Sequence, residues 1–258
     1  MNGQVFPLFE YAHILRTPML TELRDYAFEY GRLMSEGFSD GIVSGCAITT
    51  TADTITLNRG VIRYGGQMYL MVEPITLTYQ STDIWAVFKL EFKDESRQGG
   101  YIYRAVEATI SGNLELRREE MELCRFKLQR GAHLRMRYVD FADRNTEFDT
   151  VNSIYAPYSA YEKNSISPEI TRAFAREALT WQAQPLDEMF ILQALNAKTA
   201  LNRETILYYI AARLKKPFAD CDNLEIFRAL QTILQTLQSG DERELTREVR
   251  RQRHIIVD

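Results

Sequence analysis

Long apolar runs, an excess of basic residues and paired cysteines are all missing from this sequence. No stretch of about 18 consecutive apolar residues occurs, so no membrane span is expected. The net charge is -4 at pH 7, which provides no general attraction to nucleic acid. The three cysteines, Cys46, Cys124 and Cys221, are odd in number and far apart, which fits neither a disulfide framework nor a zinc site. These absences predict synthesis in a reducing cytoplasm and neither a membrane nor a nucleic-acid partner.

Histidine is scarce as well, and no recognisable catalytic motif is present. A nucleophile needs a base beside it, and His13, His133 and His254 are the imidazoles available. His13 lies among apolar neighbours, where a packed side chain is expected. The segment from Gly60 to Gly66 has the glycine spacing of a phosphate loop but lacks its lysine and hydroxyl residue, so a hairpin turn is predicted. The sequence therefore predicts that the protein is not an enzyme and has no catalytic residue, cofactor or metal site.

Two charged segments are the remaining candidates for binding sites. The acidic segment has carboxylates at Asp140, Asp143, Glu147 and Asp149. Because its spacing is not that of an EF-hand and Arg144 lies within it, a turn-forming loop with Asp–Arg pairing is favoured over calcium. The basic cluster consists of Arg125, Lys127, Arg130, His133, Arg135 and Arg137. Without stacking aromatics on the same outward face, this cluster indicates solvent or an acidic neighbouring subunit as its partner, and not nucleic acid.

The segment from 41 to about 131 has the pattern of short antiparallel strands. Over 41–72, β-branched runs are separated by glycines, which accept the positive φ of tight turns at little cost. Over 84–92, apolar residues alternate with residues that become charged after Val87, which is the pattern of a strand with one buried face. Several short strands without intervening helices predict an antiparallel sandwich or barrel-like sheet.

A helix is predicted before the strands. Thr17 and Pro18 form a typical start, with a capping hydroxyl and a proline at the first helical position. Apolar and aromatic residues then recur at steps of four and three, a period of about 3.5 residues that is typical of a coiled-coil seam. This heptad set consists of Met19, Leu23, Tyr26, Tyr30 and Leu33. Two interpretations stay open: the heptad set packs on the β-module, or the helix self-associates around a symmetry axis.

The chain after residue 139 divides into a connector and a set of helices. Residues 140–167 are polar and then aromatic without periodicity, and we expect a connector that lies on a surface. Helical periodicity begins after Ser167, and its breaks are at Pro185, Pro217 and Gly240. The predicted helices are 168–183, 185–199, 203–215, 222–239 and 240–252. The predicted fold class is α+β: an N-terminal helix and an antiparallel β-sandwich-like module over 1–139, a connector over 140–167, and a C-terminal helical bundle over 168–258.

Four stretches of this chain resemble tail and baseplate structural proteins of bacteriophages and prophages. They are Gly41–Gly45, Asp53–Gly66, Met121–Gly131 and Asp149–Tyr158. The shared pattern is a helix followed by strands separated by glycines, and it covers about residues 17 to 160. The resemblance implies a structural protein that is not an enzyme, forms homo-oligomers, often trimers, and binds other tail or baseplate proteins. It also implies synthesis in the bacterial cytoplasm and assembly into the virion tail.

The predicted function is therefore structural, with interfaces built around apolar and aromatic side chains. Besides the heptad set, the candidate interface residues are Trp85, Tyr101, Tyr103, Tyr155 and Tyr158. One alternative is a carbohydrate- or receptor-binding module of a tail appendage, in which Trp85 and Tyr103 would be exposed in a concave groove. A second alternative is a cell-wall or capsule glycan hydrolase, which requires two carboxylates that converge in a cleft.

Overall fold

The computed structural model describes residues 7–11, 14–217 and 219–240. Within these residues the chain is an α+β protein, as predicted, with one helix before the strands and the other helices after them. The helices are α1 (Thr17–Met34), α2 (Pro168–Ala178), α3 (Pro185–Asn196), α4 (Arg203–Leu214) and α5 (Asn223–Ser239), with a short 3-10 helix at Ala142–Asn145. The strands are β1 (Gly41–Gly45), β2 (Ile48–Thr50), β3 (Thr54–Leu57), β4 (Gly60–Tyr64), β5 (Gln67–Met71), β6 (Ile75–Thr78), β7 (Trp85–Phe92), β8 (Ser96–Gln98), β9 (Tyr101–Tyr103), β10 (Val106–Ser111) and β11 (Glu120–Lys127).

The β-module consists of small antiparallel sheets around one core. The sheet orders are β1-β4-β5, β2-β3-β6 and β10-β7-β11, and β8 and β9 form a separate two-stranded ribbon. The predicted hairpin is present: Gly65 and Gly66 both have positive φ and connect β4 to β5. The core residues buried between the sheets include Ile55, Leu57, Ile62, Phe88, Leu90 and Phe126.

Strand β7 is buried on both faces, whereas alternation predicted a single buried face. Phe88 lies in the core as expected, but Val87 and Lys89 on the other face are also buried. Lys89 can be buried because its ammonium group lies 2.9 Å from the carboxylate of Glu120, which is buried with it. The charge of Lys89 therefore indicates a buried ion pair with Glu120, and not a solvent-exposed face of β7.

Two segments of the chain cross closely beside β1 and β4. The backbone nitrogen of Cys46 donates to the carbonyl oxygen of Arg59 at 2.8 Å. Gly45 has a positive φ, and Gly60 lies so close to Cys46 that a side chain has no space there. The glycines at this crossing are therefore required by close backbone approach as well as by turn geometry.

The C-terminal helices form a bundle whose starts agree closely with the predicted ones. Ser167 accepts a hydrogen bond from the backbone of Glu169 at the start of α2, and Asp222 forms a capping box with Glu225 at the start of α5. The predicted helix over 240–252 lies outside the described residues, apart from Gly240. The bundle core includes Phe174, Ala178, Phe190, Ile206, Ile210, Phe227, Leu230 and Ile233.

The connector over 140–167 is largely buried, and the prediction that it lies on a surface is wrong. Phe141, Ile154 and Ile166 are packed in the core of the helical bundle. Val151 and Ala156 belong to the core of the β-module. The sequence did not indicate this burial because the segment has no helix or strand periodicity. Its irregular backbone places some side chains in the core of the β-module and others in the core of the bundle.

Backbone hydrogen bonds from the connector cover the edges of two sheets. Arg125 of β11 exchanges two backbone hydrogen bonds with Asn152, each 2.8 Å long. Ile42 of β1 donates to Pro157 and accepts from Ser159, at 2.9 Å in both cases. Unpaired groups at a sheet edge otherwise need solvent or another chain. The connector therefore completes the hydrogen bonding of both sheets and links them to the bundle.

We expect Gly60→Ala to destabilise the protein. Its added methyl group would lie 2.3 Å from the backbone nitrogen of Cys46 and 2.5 Å from the carbonyl oxygen of Ser44. Urea denaturation should show a loss of about 2–3 kcal/mol in the free energy of unfolding. The control is Gly31→Ala in α1, where no atom lies within 4 Å of the new methyl group and alanine should stabilise the helix by roughly 0.5–1 kcal/mol. If both substitutions changed the free energy of unfolding equally, the close approach of Gly60 to the backbone at Cys46 would be contradicted.

We expect Glu120 to make the free energy of unfolding decrease at acidic pH. Burial by itself would raise the pKa of Glu120, but the backbone N–H of Arg117 and the cations of Lys89 and Arg117 lower this pKa to about 2. Because the folded pKa is below the ordinary value of 4.5, the contribution is present above that pH and is lost as the pH falls toward 2. In urea titrations at a series of pH values, Glu120→Gln should flatten the loss of stability over this range. Glu188→Gln, at an exposed position of α3, should leave the slope unchanged, and an unchanged slope in Glu120→Gln would contradict the assignment.

Candidate interaction surface

Helix α1 lies on the outside of the molecule, and none of its 18 residues is buried. Its exposed large apolar side chains are Leu20, Leu23, Tyr26, Phe28, Tyr30, Leu33 and Met34. An isolated helix of this length is only marginally stable in water, since most helical stability in proteins comes from packing an apolar face. Helix α1 therefore presents an apolar surface of the kind that proteins use to associate.

The heptad set points away from the β-module. Arg24, Asp25 and Phe28 line a groove between α1 and strands β5 and β9. At about 100° per residue, the centre of the heptad set lies roughly 180° around the helix from these three residues. Of the two interpretations left open by the sequence, this orientation contradicts the one in which the heptad set packs on the β-module. Met19 is half-buried, and the exposed members of the set are Leu23, Tyr26, Tyr30 and Leu33.

The groove that lies between α1 and the β-module has a volume of about 770 Å³. Its apolar lining comes from Phe28 of α1, Met68–Met71 of β5, and Tyr101 and Ile102 of β9. No motif in the sequence indicated it, because its three sides come from segments that are about 30 to 40 residues apart along the chain. The available signals were the exposed apolar residues of each separate element.

Three aromatic residues predicted at interfaces lie at the rim of the β-module or beside it. Tyr101 and Tyr103 are exposed on the ribbon, with ring centroids 6.3 Å apart. Trp85 is half-buried at the start of β7, where it pairs with Lys127 of β11. Tyr101 lines the groove, whereas Trp85 and Tyr103 do not. Tyr101 and Tyr103 are therefore accessible to a partner, and Trp85 only partly so.

The two remaining aromatic candidates pack within the chain. The guanidinium of Arg125 lies 3.4 Å from the ring centroid of Tyr155, a cation–π contact. Tyr158 forms bridges to Ile42 and Ser165, and burial raises the pKa of its hydroxyl. Both tyrosines are half-buried where the connector meets the β-module. The contacts that the structure shows for them are intramolecular.

The two charged segments are paired with each other and with nearby strands. Asp143 of the acidic segment is paired with an arginine, but the partner is Arg135 of the basic cluster, which donates two hydrogen bonds of 2.6 Å. Arg144, the arginine within the segment, lies over the ring of Tyr138. Arg135 also lowers the pKa of that carboxyl well below its ordinary value. Further pairs are Arg125–Glu122 at 2.7 Å and Lys127–Glu147 at 2.6 Å. His13 and His254 lie outside the described residues, and across 7–11, 14–217 and 219–240 no three metal-ligating side chains gather to hold a metal ion.

A cleft between the β-module and the bundle brings several carboxylates together. Asp40, Glu120, Glu122 and Asp222 line this cavity, which has a volume of about 370 Å³. A glycan hydrolase would need one of them as a general acid with a raised pKa. The pKa of Glu120 is instead lowered to about 2.

The other three carboxylates of the cleft have structural partners. Asp40 accepts hydrogen bonds from Arg63 at 2.9 Å and from the backbone of Gly65 at 2.8 Å. Glu122 accepts two hydrogen bonds from Arg125, and Asp222 caps α5. These carboxylates hold the sheet, a turn and a helix start in place.

Arg203 joins the connector to the bundle at the same cleft. Its buried guanidinium donates to Asp220 at 2.9 Å, to the Asn164 carbonyl at 3.1 Å and to the Asn223 side chain at 2.8 Å. It also donates to the carbonyl oxygen of Cys221. Its four acceptors lie on two segments, the connector at Asn164 and the stretch 220–223 before and at the start of α5, so this part of the cleft is a structural joint.

A second exposed apolar face lies on α3 of the bundle and was missed by the sequence reasoning. Its members, three residues apart along the helix, are Met189, Leu192 and Leu195, and other exposed apolar side chains of the bundle are Leu179, Trp181 and Tyr208. A signal was available: in α3, Met189 and Leu192 flank the buried Phe190 and Ile191, so apolar residues surround the helix. A helix that is apolar on all sides is usually covered on all sides. This face therefore indicates a second contact surface.

Comparisons with known proteins give structural similarity but no family. No protein-family model matches this chain, and no curated protein matches it. A crystal structure of TssK is similar to it, with 10% sequence identity and a TM-score of 0.44, over 92% of this chain and 72% of the TssK chain. Each helix that the structure describes is too short or too polar to cross a membrane.

We expect Arg203→Lys to lower the free energy of unfolding by about 2–3 kcal/mol in urea denaturation. Lysine keeps the charge, but its single nitrogen cannot reach four acceptors on two segments. The control is Arg137→Lys at an exposed position, where a change within about 0.5 kcal/mol is expected. Equal, small effects of both substitutions would contradict the role of Arg203 as a joint.

Proposed function

We propose that this protein is a non-catalytic structural component of a phage or prophage tail or baseplate and acts through protein–protein interfaces. The observation that carries the proposal is helix α1, which has a heptad set, no buried residue and an outward orientation. The kind of assembly is taken from the resemblance of residues 17 to 160 to such proteins. In this proposal the chain is made in the bacterial cytoplasm, assembles into the virion tail and has other tail or baseplate proteins as partners.

Self-association through α1 supports a homo-oligomer, and the resemblance favours a trimer. In a coiled-coil seam, the side chains at the two apolar heptad positions enter holes between four residues of a neighbouring helix. Burying five large side chains contributes roughly 5–10 kcal/mol per copy, whereas association costs about 4–15 kcal/mol. For two heptads, the free energy gained by burial is therefore close to the free energy lost on association. A stable oligomer requires an additional contribution from adjoining surface of the β-module.

More than one interface is expected of an assembly component. The apolar face of Met189, Leu192 and Leu195 lies on α3 of the bundle, whereas the heptad set lies on α1. Interfaces of this kind bury aromatic and aliphatic anchors inside a polar rim. We propose that α1 binds copies of this chain and that the bundle face binds a different subunit.

A carbohydrate- or receptor-binding module of a tail appendage is the second candidate. The observation in its favour is Tyr101, an aromatic ring that is 69% exposed and lines a concave groove. Trp85, the other ring expected to stack on a sugar, does not line that groove. The structural role is the stronger candidate because a sugar site in the groove would not explain the exposed apolar heptad set of α1.

The experiment is a measurement of mass in solution by light scattering after size-exclusion chromatography. We expect the unaltered protein to form a defined oligomer. Leu23→Glu combined with Tyr30→Glu puts charges at two equivalent seam positions and should weaken the oligomer about 100-fold or more, since each charge loses hydration on burial. The matched control is Val139→Glu, an apolar-to-acidic change at a highly exposed loop position, and it should keep the mass of the oligomer.

The outcomes separate the candidates. A monomer at all concentrations, or an oligomer that the double variant leaves intact, would overturn self-association through α1. Circular dichroism of the double variant should show an unchanged helix content of the bundle, which separates loss of assembly from unfolding. Saturable binding of glycans that Tyr101→Ala abolishes would favour the second candidate.

A further inference from the structure

One sheet of the β-module is covered at one edge and open at the other. In the sheet β1-β4-β5, the connector covers β1 through the hydrogen bonds of Ile42 with Pro157 and Ser159. Strand β5 forms the opposite edge, and it lines the groove beside α1. A covered edge and an open edge in the same sheet single out β5 as a place where another strand can add.

The pairing register identifies the backbone groups of β5 that are left over. The two-residue turn pairs Tyr64 with Gln67, and the ladder continues through Ile62 with Tyr69. In an antiparallel pair, alternate residues direct their N–H and C=O groups away from the partner strand. Those residues in β5 are Met68 and Leu70, whose backbone groups have no hydrogen-bond partner among the described residues.

Strand β5 lacks the features that normally block an open edge. Its sequence, Gln67 to Met71, contains no charge and no proline, and Leu70 is 69% exposed. By contrast, β10 carries Glu107 and β11 carries Lys127. Charged side chains, prolines and bulges are the usual protection against unwanted strand pairing. The unprotected edge of β5 is therefore suited to a partner.

The groove selects an uncharged partner. The guanidinium of Arg24 is paired with Asp25 at 2.7 Å. Arg104 donates to Glu95 at 3.1 Å and to the side chain of Gln67 at 3.0 Å. The cations that line the groove thus have partners already, and the remaining lining is mainly apolar and aromatic. A charged segment would lose hydration there without gaining a counter-ion.

We infer that this groove binds an extended, uncharged segment of a partner protein, which adds to β5 as a fourth strand of the β1-β4-β5 sheet. The backbone groups of Met68 and Leu70 pair with alternate residues of the segment, and apolar side chains of the segment contact Phe28 and Tyr101. Main-chain pairing provides affinity and the side-chain contacts provide selectivity, as in other cases of strand addition. The inference rests on the proposed function only in that it takes the partner to be another structural protein.

The test uses fluorescein-labelled seven-residue peptides in a polarisation assay with the full chain. Every second residue is Val, Ile, Leu, Phe or Tyr, and the others are Ser or Thr, so that each peptide is uncharged and able to form a strand. Each peptide that binds is also made with N-methyl groups on alternate residues, in both possible registers. Because an added strand presents one edge to β5, one register should weaken binding at least tenfold and the other should change it less than threefold. Equal effects of the two registers, or no binding across the set, would overturn strand addition.

Variants of β5 locate the site. Leu70→Pro removes one outward N–H group without touching the ladder to β4, and it should weaken peptide binding at least tenfold. Leu70→Thr keeps the N–H group and the β-propensity, and it should retain binding within about threefold. In hydrogen exchange, the amides of Met68 and Leu70 should become protected in the unaltered protein at saturating peptide. Unchanged exchange at these amides, with the peptide bound, would overturn the assignment even if Leu70→Pro fails to fold.

The same variants keep this inference separate from the proposed function. Light scattering of Leu70→Pro should give the oligomer mass of the unaltered protein, because the heptad set lies on the other side of α1. Leu23→Glu with Tyr30→Glu should lower the mass and still bind the peptide. Peptide binding without an oligomer would overturn the proposed function alone, and an oligomer without peptide binding would overturn this inference alone.

Discussion

The structure depends on backbone pairing between residues 150–159 and the edges of β1 and β11. These hydrogen bonds satisfy sheet edges that a small module of short strands cannot satisfy by itself. The same segment continues into the bundle, where Ile154 and Ile166 are packed in the helical core. The guanidinium of Arg203 strengthens this joint by donating hydrogen bonds to four acceptors. The connector is thus part of both cores, and the β-module and the bundle depend on each other for completion.

The surfaces proposed as interfaces are those whose apolar side chains or backbone hydrogen-bonding groups are not covered by other parts of the described chain. Helix α1 has an apolar heptad set and no buried residue, and β5 has an open edge where the outward backbone groups of Met68 and Leu70 have no partner within the part of the chain that the structure describes. Both lie on one side of the β-module and flank a single groove. Apolar surface and open backbone both lower the free energy when covered. Their juxtaposition supports an assembly component that binds copies of itself and another chain on neighbouring surfaces.

Features that depend on neighbours in sequence were predictable. The starts of α2 and α3 were placed from Pro168 and Pro185, which fit the first turn of a helix. Thr17, which was expected to cap α1, lies inside that helix instead, and no side chain among the described residues caps it. The Gly65-Gly66 hairpin followed from the positive φ of its turn. The heptad set of the candidate site was likewise visible from its spacing. Its outward orientation was not, since a helix of this pattern fits its own sheet or a second copy equally well.

The amino-acid sequence by itself determined the order of the elements, the starts of the bundle helices and the antiparallel class of the strands. The tertiary structure alone decided that the connector is buried, that Lys89 lies beside Glu120, that the cleft carboxylates are all engaged, and that α1 faces away from the β-module. The physical reason is distance along the chain. Capping, turn geometry and periodicity act within a few residues, whereas burial of a charge, coverage of a sheet edge and the shape of a groove depend on segments that meet only after folding.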